Sequence, residues 1–113
     1  MNEKYKLKFV NDGKPFIMPD WTVEKHEQLL NEMIPYDEKV KLKVITTEER
    51  DKIYRITMIL ISLKEIDPKV KENDLRKLHP DMFVDLWLSV YNSGKTEIRV
   101  KDEDFQEGEQ PPK

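Results

Sequence analysis

The sequence predicts a small α+β domain, an N-terminal β-hairpin followed by three to four helices, with an acidic flexible tail after it. Three observations carry this. Lys4 to Val10 alternates apolar and basic residues; Val23 onward and Thr46 onward repeat apolar residues at helical spacing; and the composition turns acidic and poor in apolar residues from Lys101. The folded part is expected over residues 1–100 and the tail over 101–113.

In the hairpin, Tyr5, Leu7 and Phe9 share one face of a strand, and Lys4, Lys6 and Lys8 the other. Asn11, Asp12 and Gly13 tolerate positive φ and make the turn, and Phe16-Ile17-Met18 returns as the second strand. Pro15 has no backbone donor, so it belongs beside the turn or on an edge. The lysine row reads as a solvated face that discourages edge-to-edge pairing.

Thr22 is placed to cap the first helix. Val23, His26 or Glu27, Leu30, Met33 and Ile34 form its apolar stripe, and Pro35 is expected to stop it. Residues 36–45 lack a strong helical signal, and alternation at Val40, Leu42 and Val44 suggests a loop followed by a short strand. Thr46-Thr47-Glu48-Glu49 is a capping box, in which Thr46 and Glu49 satisfy each other's backbone donors. The helix it opens carries Ile53, Ile56, Leu60 and Leu63 on one stripe and Tyr54, Met58, Ile59 and Ile61 around it, so burial on more than one side is expected. Asp67-Pro68 marks its end, because a residue before proline avoids the helical region.

Asn73 or Asp74 is read as the cap of a short helical turn through Leu75 and Leu78, and His79-Pro80-Asp81 as a break and restart with Pro80 in a first turn. Phe83, Leu86, Trp87 and Val90 then share a face, and Asn92-Ser93-Gly94 supplies a left-handed close. A brief strand is expected over residues 96–100. Beyond it, Asp102, Glu103, Asp104, Glu107 and Glu109 surround a single apolar residue, Phe105, too little to offset the entropy of ordering.

A chain of 113 residues is long enough for one core. Charged residues (38%) match hydrophobic ones (37%), and 20 basic against 23 acidic residues leave no basic excess with which to hold phosphates. The segment after Pro80 has Asp81 and Asp85 and no Arg or Lys before Gly94, which makes it a poor reader of DNA. With no cysteine there is neither a disulfide nor a thiolate site, and a reducing compartment fits. No apolar run reaches the length of a signal peptide or a membrane span, so a cytoplasmic protein is expected.

Chemistry finds few footholds. His26 and His79 stand far apart, with no second ligand at metal-binding spacing. Asp81 and Asp85 read as solvated helix residues rather than an acid/base pair. Three glycines cannot build a phosphate-binding loop, and Asp12-Gly13 lacks the spaced oxygens of a calcium loop. Neither a catalytic residue, a cofactor, a metal nor a small-molecule substrate is expected. Trp21, Phe83, Trp87, Tyr91 and Met18, Met33, Met58, Met82 are where core or an adaptable apolar groove should lie.

The order of these elements, from the Lys4 to Met18 hairpin through the Thr46-Thr47-Glu48-Glu49 helix to the Leu75, Leu78-His79-Pro80-Asp81, Leu86 stretch ending at Gly94, resembles the tail assembly chaperones of long-tailed bacteriophages and prophages of Gram-positive hosts. The resemblance implies a small non-enzymatic protein of the host cytoplasm that keeps the tape-measure protein soluble while tube protein polymerises round it. It also implies a longer product made by programmed frameshift, and it transfers no individual site residue. On that reading Met58, Ile59, Ile61, Phe83 and Trp87 are the expected partner-binding groove. The partner expected on that reading is the tape-measure protein, with the tail tube protein and a second copy as further candidates, and neither nucleic acid nor membrane is expected. A structural head–tail or tail component and a DNA-binding regulator are the alternatives.

Overall fold

Asn11, Asp12 and Gly13 all take left-handed backbone angles (φ 54°, 56° and 78°), and this reverses the chain between two very short strands. In the computed structural model, which describes residues 4–95, β1 (Lys4–Tyr5) pairs antiparallel with β2 (Phe16–Ile17), Lys4 opposite Ile17 and Tyr5 opposite Phe16. The expected inward and outward alternation holds: Leu7 is buried, Tyr5 and Phe9 half-buried, and Lys4, Lys6 and Lys8 exposed. The pairing is nevertheless shorter than the pattern implied. From Lys8 the chain turns, a Val10 N–H donating to the Leu7 carbonyl at 3.1 Å, and Val10 is driven fully into the interior.

Thr22 caps α1 (Val23–Lys41) as expected, its Oγ1 accepting from the Lys25 N–H at 3.3 Å. Two expectations fail here. Pro35 does not stop the helix, and residues 36–41 are helical rather than loop and strand. Proline removes one backbone donor and crowds the preceding turn, and tertiary contacts beyond it outweigh that cost. Tyr36 packs against the core, and Asp37 accepts from Arg50 Nε at 2.8 Å. The helix then closes in a Schellman motif: the Val44 N–H reaches the Lys39 carbonyl at 2.8 Å, the Lys43 N–H reaches that of Val40 at 3.0 Å, and Lys43 takes the left-handed position at φ 61°. The buried face also differs from the expected stripe, since Leu29 and Met33 are enclosed while Val23, Leu30 and Ile34 face outward.

The capping box forms, the Glu49 N–H donating to Thr46 Oγ1 at 3.1 Å and the Thr46 N–H to Glu49 Oε1 at 2.8 Å, and it opens α2 (Thr47–Ile66). This is the central helix. It packs against α1 on one side and against α3 (Glu72–Arg76) and α4 (Pro80–Asn92) on others, so Ile56, Met58, Ile59, Ser62 and Leu63 are all buried. Lys25 and Glu65, 2.9 Å apart, and Arg50 and Asp37 bind α1 to α2 near opposite ends.

Asp67 ends α2 with a side chain that accepts twice, from the Lys69 N–H and from the Asn11 N–H, each at 3.0 Å. Asp74 is not the cap of α3 but lies three residues inside it, its carboxylate accepting from the N–H of Lys71, the capping position. Pro80 opens α4, with His79 Nδ1 accepting from the Asp81 N–H at 3.1 Å. Gly94 is left-handed after α4 as expected (φ 84°), but the close is not a Schellman motif: Ser93 before it is extended (φ −69°, ψ 135°), and the Lys95 N–H returns to the Asn92 carbonyl at 3.3 Å as in a type II turn. A Cβ at Gly94 would stand 3.0 Å from Asp20 Cβ, because this turn seats on residues 20–21, where the Trp21 N–H donates to the Ser93 carbonyl at 3.2 Å. The strand expected over 96–100 and the tail over 101–113 lie outside the described residues.

Candidate functional site

The interior takes much of what the sequence offered as a partner groove. Met58 and Ile59 are 2% and 0% exposed, so in this conformation they are core and cannot meet another chain. Both point from α2 into the space between helices, where burying such a side chain is worth about 1.5–3 kcal/mol. Phe83 and Trp87 are half-buried and packed against that core. Trp87 has Tyr91 stacked on it at 5.5 Å and the Arg55 guanidinium over its ring at 5.5 Å, so its ring is already engaged within the chain. Of the five, Ile61 lines a groove between α1 and α2. The groove has about 580 Å³, walled by Tyr36 and Leu60 and rimmed by Glu32, Lys39 and Lys64.

What the sequence reading missed is the apolar surface that stays outside. On α4, Val84, Leu88 and Tyr91 stand at i, i+4 and i+7 and are 51%, 44% and 50% exposed. At 100° per residue they lie roughly opposite Leu86 and Val90, which are fully buried. One helix thus presents an apolar stripe to the core and a second to the outside. On α1, Val23, Leu30 and Ile34 share an exposed face about 100° round from Leu29 and Met33. The signal in α4 was legible: Pro80 to Asn92 holds only two charged residues, Asp81 and Asp85, too few to solvate the face that the core leaves free.

Two charged groups have pKa values moved by the contacts that join elements of the fold. The Asp37 carboxylate hydrogen bond is the main reason that the Arg50 guanidinium is held above its ordinary value, against partial burial, and Asp51 adds to the effect. Hydrogen bonds from the Lys69 and then the Asn11 backbone hold the Asp67 carboxyl below the usual carboxylate range. His26 Nδ1 accepts from Trp21 Nε1 at 3.4 Å, and His79 serves as a helix cap, so both imidazoles have structural work. Among the described residues no three His, Cys, Asp or Glu side chains are grouped to hold a metal ion, and no helix is long and apolar enough to cross a membrane.

Compared with models of protein families, with curated proteins and with solved structures, the chain matches none. A functional reading therefore rests on its own surfaces.

Proposed function

We propose that the protein is a non-catalytic assembly chaperone of the cytoplasm, which covers apolar helical segments of a tape-measure protein during phage tail assembly. The observation that carries the reading is the outward stripe Val84, Leu88 and Tyr91 on α4, an apolar face in i, i+4, i+7 register of the kind that pairs with an amphipathic helix. Leu30 and Ile34 on α1 offer a second apolar contact. Charged residues make up 38% of the chain, which favours solubility between binding events. The order of elements, which resembles phage tail assembly chaperones, supplies the class of client.

Co-expression with a tape-measure protein of a long-tailed phage of a Gram-positive host tests this. The client moves into the soluble fraction and co-purifies with the chaperone, and Val84→Asp with Leu88→Asp abolishes both effects while leaving the chaperone folded. A client that stays insoluble beside the folded wild-type protein overturns the reading. A protein retained in purified phage particles would favour a permanent tail component instead.

A further inference from the structure

A second groove, of about 330 Å³, lies where β1 and the segment after it meet the link between α3 and α4. Its apolar walls are Leu7, Phe9 and Leu78, and exposed Lys6, Lys8 and Lys77 stand over them. None of these three ammonium groups forms an ion pair among the described residues. Among the described residues the carboxylate at the groove is that of Asp74, which already accepts from the Lys71 N–H at 3.0 Å. An apolar slot under three unpaired cations is suited to an acidic segment that carries one aromatic side chain.

The chain contains such a segment. Asp102, Glu103 and Asp104 precede Phe105, and Glu107 follows, with no basic residue among them. We propose that Asp102–Phe105 of the same molecule docks in this groove, Phe105 against Leu7, Phe9 and Leu78 and the three acids against Lys6, Lys8 and Lys77.

The tether is long enough. The turn after α4 is fixed to residues 20–21 by the Trp21 to Ser93 hydrogen bond, and Asp20 lies three residues beyond β2, which is paired with β1. Following the backbone from Asp20 back to Ile17, across to Lys4 and on to Lys8 takes about 28 Å at ~3.3 Å per residue. Gly94 lies against Asp20, a Cβ there standing 3.0 Å from Asp20 Cβ, which adds about 6 Å between their Cα atoms, and the eleven steps from Gly94 to Phe105 span about 36 Å on the same scale. Exposed ion pairs contribute little individually, so the aromatic anchor carries most of the affinity and salt weakens the rest.

The absence of cysteine makes the test direct. A spin label on Gln106→Cys in the full chain, read by amide spectra of the isotopically labelled protein, should broaden the amides of Lys6, Lys8, Phe9, Lys77 and Leu78 and spare those of α1. The broadening should disappear when Phe105→Ala is combined with Asp102→Asn, Glu103→Gln and Asp104→Asn, and shrink in 1 M salt (: a Debye length of about 3 Å). Equal intensities across the surface, or broadening unchanged by the combined variant, overturn the proposal. So does broadening that appears fully in a mixture of spin-labelled unlabelled-isotope protein with unmodified isotope-labelled protein, which would make a second copy the occupant. The result is independent of any client and so separates from the chaperone reading.

Discussion

Asp67 accepts from the Asn11 N–H at 3.0 Å across 56 residues of sequence, fastening the left-handed turn of the hairpin to the C-terminal end of α2. The same carboxylate holds the Lys69 N–H at 3.0 Å, so one side chain closes the Asp67-Pro68-Lys69 turn and anchors the hairpin on the helices.

The stability this carboxylate confers depends on pH in a defined direction. Its pKa is lower in the folded protein than in the unfolded chain, first through Lys69 and then through Asn11, so its contribution is complete above the unfolded value, about 3.9, and is lost as pH falls through the depressed folded value. Asp67→Asn should therefore be less stable than wild type in urea at pH 7, with the gap closing as pH falls through the depressed folded value. A gap that is the same above and below that value would show that the carboxylate charge is irrelevant.

Pro35 is a cost that the fold tolerates. Because α1 runs through it to Lys41, Pro35→Ala should restore a helical hydrogen bond and stabilise the protein by up to about 3 kcal/mol. Lys43→Gly should add about 1 kcal/mol, since Lys43 holds φ 61° in the Schellman close. Urea denaturation measures both. Destabilisation by Pro35→Ala would mean that residues 36–41 are not helical in solution.

Ser62 lies at 0% exposure in the middle of α2, and its hydroxyl has no hydrogen-bond partner among the described residues. Ser62→Ala should raise stability by about 1–2 kcal/mol by removing an unsatisfied buried group. The neighbouring Leu63→Ala, which empties a fully buried site, should cost about 2–5 kcal/mol. Thermal or urea unfolding of the two variants should move in opposite directions; a Ser62→Ala loss comparable to that of Leu63→Ala would reveal a hidden polar partner.

Local chemistry was legible in the sequence where it acts over a few residues. The Thr46 and Glu49 capping box, the Thr22 cap, Pro80 in a first helical turn, and the positive-φ turn at Asn11-Asp12-Gly13 all depend on side chains reaching backbone nearby. The extent of α1 was not, because proline's local penalty is overridden by Tyr36 packing and by the Arg50 to Asp37 bond, which joins residues brought close only when α1 and α2 fold back on each other. The candidate site suffered from the same blindness to tertiary context. Met58 and Val84 are both apolar residues on helices, and only the packing of α1 and α4 on α2 decides that the first is core and the second is surface.

The most direct test of the central claim, that the protein works by covering apolar helix with the outer face of α4, is a calorimetric titration of a soluble helical tape-measure segment into the folded protein. The account predicts binding with a negative heat-capacity change, weakened at least about ten-fold (1.4 kcal/mol) by Val84→Asp with Leu88→Asp in a variant that keeps its fold. No binding to the wild-type protein, or equal affinity for the variant, would contradict it.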